Sequence, residues 1–194
     1  MFIYKRMFAY FDLGGVVFNW EKGLNKMAEF SGKSLERVKE VFKKYDDEAC
    51  RGKITSDELG KFYERELDFS LNGIRFSDFW VSNFSPILKT HELLKRLVAR
   101  NISIGLLTNI YRETYEKALG KYIPDLPYKA VVKSCDCGYI KPEFEFLEIA
   151  QSLAGVPKSE VTLIDDYVIN VEKARDFGWC GIVFQEDVAL DIYS

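Results

Sequence analysis

Residues 7–16 of this 194-residue chain read MFAYFDLGGV, an apolar run that ends at Asp12 and is followed by the pair Gly14-Gly15. The five residues before Asp12 are continuous in apolar character, which is typical of a strand that is buried on both faces. The two glycines let the backbone turn sharply directly after the strand. This stretch therefore predicts a central parallel strand with a carboxylate at its carboxyl end.

Four further apolar runs follow after residue 100, and helical patterns separate them. The additional strands are predicted at Ile102 to Leu107, Ala130 to Val132, Val161 to Ile164 and Gly181 to Phe184. The helices are predicted at Ile87 to Ala99, Tyr111 to Leu119, Glu143 to Leu153 and Ile169 to Phe177. This alternation favours the α/β class, with a Rossmann-like parallel sheet covered by helices on both faces.

The segment of residues 19–85 has a different hydrophobic pattern from the rest of the chain. Its apolar residues recur at the three- and four-residue spacing of amphipathic helices. Ser34 marks one helix start, and Thr55 with Glu58 three residues later predicts a capping box. No strand is predicted in this segment. We therefore predict an α/β core of residues 1–18 and 86–194, and a small α-helical cap of residues 19–85.

The composition limits the partners that this chain is expected to have. With 27 basic and 30 acidic residues and a pI near 5.4, there is no positive surplus to hold a nucleic acid. No run approaches the roughly 20 apolar residues of a membrane helix, and no apolar core of a signal peptide is present. We expect a cytoplasmic monomer or homodimer that acts on a small molecule, with no membrane or nucleic acid partner.

Polar residues directly follow three of the predicted strands, namely Asp12, the pair Thr108-Asn109 and the pair Asp165-Asp166. The carboxyl ends of parallel strands meet at one edge of a sheet, so these side chains are expected to lie close together. Clustered carboxylates repel one another unless a cation is bound, and oxygen ligands favour Mg²⁺. Donors from Thr108 and Asn109 would suit phosphoryl oxygens, so the pattern indicates phosphoryl transfer.

Lys141 stands before Pro142 at a predicted helix start, between the third and fourth strands. Its ammonium group would offset the negative charge of Asp12 and of a bound phosphate. Trp20 and Trp80 are interpreted as packing residues of the core and cap, since aromatic side chains mostly serve that role.

The sequence resembles the haloacid dehalogenase superfamily, in the branch whose helical cap is inserted after the first strand. The resemblance spans essentially the whole chain, and within the superfamily the sequence is similar to bacterial alpha-glucose-1-phosphatase-like proteins. Four motifs carry it in order: residues 11–16, FDLGGV; 106–109, LLTN; 140–143, IKPE; and 164–166, IDD, with Asn170, Ala174 and Gly178.

The resemblance implies a phosphatase that hydrolyses a small phosphate monoester, such as a sugar phosphate, in two steps. Asp12 would attack phosphorus to give an aspartyl-phosphate, which water then hydrolyses. The catalytic residues would be Asp12, Lys141 and Thr108, and the substrate-binding residues Thr108, Asn109, Lys141 and Gly15. Magnesium would be bound by Asp12, Asp166 and the carbonyl of Gly14, with Asp165 as a ligand or as support for one.

Gly14 departs from the family pattern, in which a second aspartate at this position protonates the leaving group. Its absence suits a leaving group that needs little protonation, such as the anomeric oxygen of a sugar 1-phosphate. Two alternatives remain at this point. A non-catalytic binding or regulatory module would have kept the fold and lost the reaction. A haloacid dehalogenase would use the same aspartate on carbon without magnesium.

Overall fold

The computed structural model describes residues 7–186, in which helices surround a five-stranded parallel sheet. The elements in chain order are β1 Phe8–Phe11, β2 Phe18–Asn19, α1 Lys22–Ser31, α2 Leu35–Cys50, α3 Ser56–Leu67, α4 Phe76–Ser82, β3 Ser85–Pro86, α5 Leu88–Ala99, β4 Ser103–Thr108, α6 Arg112–Ala118, β5 Ala130–Lys133, α7 Ser134–Cys137, α8 Phe144–Ala154, a 3₁₀ turn Lys158–Glu160, β6 Val161–Asp165, α9 Val168–Asp176 and β7 Cys180–Val183. The strand order is β5-β4-β1-β6-β7, which confirms the predicted α/β class.

Strand β1 lies at the centre of the sheet and is buried along its whole length. Ala9 and Phe11 pack in the larger apolar cluster, which includes residues of α5 and of the helical segment. Phe8 and Tyr10 pack in a second cluster with residues of α8. Both faces of the strand are therefore covered, which explains its continuous apolar sequence and fixes Asp12 at the sheet edge.

Helices α1 to α4 follow one another between the short strands β2 and β3, which pair antiparallel. The prediction that residues 19–85 contain no strand is wrong at both borders, because Asn19 belongs to β2 and Ser85 to β3. Two-residue strands carry no readable periodicity, so sequence analysis misses them. The division into core and cap stays a prediction, and its ends, residues 1–6 and 187–194, lie outside the described residues.

Two local features near Lys141 differ from the sequence analysis. Pro142 does not begin a helix, since α8 starts two residues later at Phe144 and the Lys141–Pro142 peptide bond is cis. The short helix α7, which was not predicted, directly follows β5. Among residues 7–186, no helix combines the length and the apolar character needed to cross a membrane.

The helix starts at Ser34 and Thr55 are confirmed. The Ser34 hydroxyl accepts a hydrogen bond from the Arg37 amide, and Thr55 and Glu58 form a complete capping box. These caps satisfy amide groups that the first turn of a helix leaves without a partner.

We expect Thr55→Ala to lower the free energy of unfolding by about 1 kcal/mol, because it removes one acceptor of the capping box. Chemical denaturation with urea measures this change. Thr55→Ser keeps the hydroxyl and serves as the control. Equal stability of the alanine variant and the parent protein would contradict a role for this cap.

Candidate active site

The site lies at the carboxyl edge of the sheet, beneath helices of the 19–85 segment. Asp12 directly follows β1, Thr108 ends β4 and Asp165 ends β6, while Lys141 comes from the loop after α7. A cavity of about 540 Å³ opens here, and its lining includes Asp12, Gly14, Thr108, Asn109 and Lys141. Strand ends that are distant in sequence thus supply one common wall, as the parallel topology requires.

Lys141 forms the central charge contact of this site. Its Nζ lies 2.9 Å from Oδ1 of Asp12 and 2.5 Å from Oδ2 of Asp165, and the residue is 3% exposed. Burial lowers the pKa of Lys141, but the neighbouring Asp12 and Asp165 carboxylates outweigh it and hold this pKa above its usual value. The lysine is therefore charged and is held by two acidic partners.

Two of the three carboxyl groups retain a proton more strongly than usual. Burial, opposed by Lys141, raises the pKa of Asp12 to about 6. Burial and the charges of Asp12 and Asp165 raise the pKa of Asp166 to about 7. The Oδ1 atom of Asp166 is buried and has no hydrogen-bond partner in the described part of the chain. Lys141 compensates only part of the negative charge of this cluster, and Asp166 has no ion-pair partner among the described residues.

Asp12, Asp165 and Asp166 form the one cluster within residues 7–186 whose ligand atoms all lie close enough together, within 4.8 Å, to hold a metal ion. Both oxygens of Asp165 are already engaged: Oδ1 accepts from the Tyr167 amide and the Asn170 side chain, and Oδ2 from Lys141. The unpartnered oxygen belongs to Asp166. The donor set fits a hard cation such as Mg²⁺, while the assignment of the individual ligands stays a prediction.

Gly14 and Gly15 lie against different side chains, Trp20 and Asp166 respectively. A β-carbon on Gly15, whose φ is +75°, would lie 2.2 Å from Oδ2 of Asp166. A β-carbon on Gly14 would lie 2.9 Å from Cδ1 of Trp20. Trp20 thus occupies the space into which a side chain at position 14 would extend. Gly15 lines a smaller cavity of about 220 Å³ beside Asp166, whereas Gly14 lines the main one.

The side chain of Asn109 contacts the backbone of Lys141 twice. Its Oδ1 accepts from the Lys141 amide at 2.8 Å, and its Nδ2 donates to the Lys141 carbonyl at 3.1 Å. This pair of hydrogen bonds ties the loop after β4 to the loop that carries the lysine. Thr108 is 1% exposed and faces the same cavity. The assigned roles of these residues in substrate binding stay predictions.

The family assignment follows from a comparison with known protein families. The family described as haloacid dehalogenase-like hydrolase matches residues 11–183, which is most of the chain. The chain belongs to this family. This confirms the resemblance drawn from the four sequence motifs and makes the protein a haloacid dehalogenase-like hydrolase.

Several characterised relatives resemble this hydrolase in sequence. A sesquiterpene phosphatase of Aspergillus oryzae is 21% identical over 93% of this chain and 91% of its own length. A flavin mononucleotide hydrolase of Arabidopsis thaliana is 31% identical over 72% of this chain and 56% of its own. A drimenol cyclase of Aspergillus calidoustus is 26% identical over 90% of this chain, which spans only 33% of the cyclase.

Solved structures share the fold of this hydrolase. A haloacid dehalogenase family enzyme of Bacteroides thetaiotaomicron, in complex with magnesium and inorganic phosphate, superimposes with a TM-score of 0.79 at 19% identity, over 95% of this chain and 97% of that one. The L-2-haloacid dehalogenase of Xanthobacter autotrophicus gives a TM-score of 0.68 at 14% identity, over 90% of this chain and 76% of its own.

The helical segment of this hydrolase is fastened to the core around the site by contacts that sequence analysis missed. The Tyr111 hydroxyl donates to Asp46 at 2.5 Å. The Ser134 hydroxyl donates to the Cys50 carbonyl at 2.6 Å and accepts from the Ile110 amide. Arg51 pairs with Glu143 at 2.5 Å. Each contact between the helical segment and the core joins residues at least 65 positions apart, so no local pattern in the sequence predicts it.

Arg51 follows α2 directly. Its guanidinium donates to two core partners, the Glu143 carboxylate and the Gly138 carbonyl. Arg51 therefore serves to seat the helical segment, one residue past the end of α2.

We expect Asp46→Asn to stabilise the protein, more strongly at higher pH. Burial raises the pKa of Asp46 to about 6, so the folded chain keeps a proton that the unfolded chain releases near pH 4. The parent protein therefore loses stability between pH 4 and pH 6, and the loss is complete above pH 6. Asparagine has no proton to lose but still accepts from Tyr111. The expected gain above pH 6 is about 1 kcal/mol, after allowance for solvent screening.

Thermal unfolding of both proteins at pH 4, 6 and 8 measures this difference. Asp47→Asn removes an exposed carboxyl from the same turn and serves as the control. A stability difference of the same size at all three pH values would contradict the explanation.

Proposed function

We propose that this hydrolase is a magnesium-dependent phosphatase that cleaves a small phosphate monoester with Asp12 as the nucleophile. The observation that carries the proposal is the buried charge cluster at the cavity. Lys141 pairs with Asp12 and Asp165, while the neighbouring Asp166 presents a buried oxygen that has no partner among residues 7–186. One lysine beside three carboxyl groups leaves an excess of negative charge that a divalent cation would neutralise before a phosphate binds.

The comparisons support the same reaction class. The sesquiterpene phosphatase and the flavin mononucleotide hydrolase are named for the hydrolysis of phosphate esters, and the Bacteroides enzyme binds magnesium and inorganic phosphate. By analogy, Asp12, Asp166 and the carbonyl of Gly14 would hold Mg²⁺. The cation would neutralise charge on the phosphoryl oxygens and on the two carboxylates.

In the proposed reaction, a carboxylate oxygen of Asp12 forms a bond to phosphorus while the bond between phosphorus and the ester oxygen breaks. Water then attacks the aspartyl-phosphate, which releases inorganic phosphate and restores Asp12. Lys141 keeps Asp12 oriented and offsets the charge of the phosphoryl group. Thr108 and Asn109 would bind phosphoryl oxygens at the carboxyl edge of the sheet, whereas the Gly15 amide already donates to the Phe18 carbonyl.

We expect Asp12→Asn to lower phosphatase activity by at least about 1000-fold, because the amide is not a nucleophile. Hydrolysis of p-nitrophenyl phosphate with excess Mg²⁺ measures the loss. Asp176→Asn, at the exposed far end of α9, is the matched control and should keep full activity. Metal-dependent activity retained in Asp12→Asn would contradict the mechanism. Turnover of a haloacid in EDTA would instead indicate a dehalogenase.

We also expect the rate to depend strongly on the leaving group. Position 14 carries no acid and Trp20 fills its space, so the ester oxygen receives no proton from that side. General acid help is worth about 10²- to 10⁴-fold in rate. Therefore kcat/KM for p-nitrophenyl phosphate should exceed that for simple alkyl phosphates by a factor of this order. Equal values, with chemistry limiting the rate, would reveal a proton donor elsewhere in the cavity.

A further inference from the structure

The cavity continues from Asp12 toward a wall of stacked aromatic rings. The rings of Trp20 and Phe42 are 5.2 Å apart between centroids, and Trp80 lies 6.0 Å from Trp20 and 6.4 Å from Phe42. All three residues line the cavity. Trp80 is 3% exposed, whereas Trp20 and Phe42 are only partly buried. The two partly buried rings therefore present apolar surface to whatever fills this space.

A second apolar surface lies at the start of α9. Tyr167, Val168 and Ile169 are 52%, 53% and 55% exposed, an unusual run of large apolar side chains on a surface. Tyr167 and Ile169 line the same cavity as the aromatic wall. The apolar surface thus extends from the aromatic wall to these exposed side chains.

The hydrophilic side chains that the helical segment contributes to the cavity are mainly charged. Its charged lining residues Glu21, Lys39, Lys43 and Asp47 are exposed to solvent, and Asp46 already accepts from Tyr111. Within the core, the Thr114 hydroxyl is buried at this cavity and has no partner in the described residues. Apart from Thr114 and the residues at the charge cluster, the buried side chains that line the cavity are apolar or aromatic, such as Phe18, Leu24 and Phe84.

We propose that the substrate is the phosphate monoester of a large apolar alcohol or phenol, whose apolar part packs against Trp20 and Phe42. This inference rests on the proposed phosphatase function and names its substrate class. It replaces the sugar phosphate suggested by sequence and gives Trp20 a binding role in addition to packing. The indole beside Gly14 places apolar surface next to the reacting group, and the wall continues along α2 and α4.

The test uses a series of 4-alkylphenyl phosphates, from methyl to hexyl, with glucose 1-phosphate as the polar comparison. All the phenols in the series ionise near the tyrosine pKa of about 10, so protonation of the leaving group stays constant along it. Each buried methylene should then raise kcat/KM by up to about fourfold, until the chain outgrows the cavity. Glucose 1-phosphate should be the poorest substrate of the set.

Variants of two phenylalanines in the helical segment distinguish the aromatic wall from general hydrophobicity. Phe42→Ala removes a ring of the wall, and we expect it to lower the ratio of hexyl to methyl kcat/KM by about tenfold or more. Phe30→Ala is the control. Phe30 is 44% exposed on α1, contacts Phe69 and Phe79, and does not line the cavity. Phe30→Ala should leave the ratio of hexyl to methyl kcat/KM unchanged. Competitive inhibition by alkylphosphonates of the same lengths measures binding without turnover.

The outcomes separate the two proposals. Hydrolysis of p-nitrophenyl phosphate with Mg²⁺, but no dependence on chain length or a preference for glucose 1-phosphate, would overturn the substrate class and leave the phosphatase proposal intact. An equal loss in Phe42→Ala and Phe30→Ala would assign the effect to general stability and overturn the role of the wall. Failure to hydrolyse any ester, p-nitrophenyl phosphate included, would contradict the phosphatase function and this inference with it.

Discussion

The ion pairs of Lys141 with Asp12 and Asp165 are the constraint on which the rest of the site depends. Both partners and the lysine itself are almost fully buried. A buried charge left without its partner typically costs about 3–5 kcal/mol, so the three groups must be brought together accurately. The Asn109 side chain makes two hydrogen bonds with the Lys141 backbone. The Asn170 side chain and the Tyr167 amide donate hydrogen bonds to Asp165. The surrounding hydrogen bonds thus serve mainly to fix one ammonium group.

This arrangement leaves one carboxylate outside the paired set. Both oxygens of Asp165 accept hydrogen bonds, whereas Asp166, the next residue, has a raised pKa and an oxygen with no partner in the part of the chain that the structure describes. Adjacent residues at the end of a strand point in opposite directions, so one aspartate faces the lysine and the other faces Gly15. The strand geometry therefore divides the pair into a group that orients the lysine and a group that is open to a cation.

Sequence reasoning succeeds where the determining information is local. The buried strands were recognisable from continuous apolar runs, and Asp12, Thr108 and Asp165 follow because the ends of parallel strands meet at one edge. The N-terminal cap of α3 could likewise be predicted from Thr55 and Glu58. Contacts between residues that are far apart in the sequence could not be predicted in this way. Nothing near Asp46 indicates Tyr111, and nothing near Gly14 indicates that Trp20 fills the space beside it. Such contacts depend on how the helices pack over the sheet, which periodicity does not encode.

The short ribbon of β2 and β3 has a consequence for how such a protein changes over evolutionary time. Because these strands pair, the chain leaves the core and returns to it at neighbouring points. Changes in the intervening segment that keep its contacts with the core can then leave the register of the five-stranded sheet unchanged. Selection could therefore exchange the residues that face a new leaving group while the phosphate end is inherited unchanged. The ribbon makes the helical segment an exchangeable module.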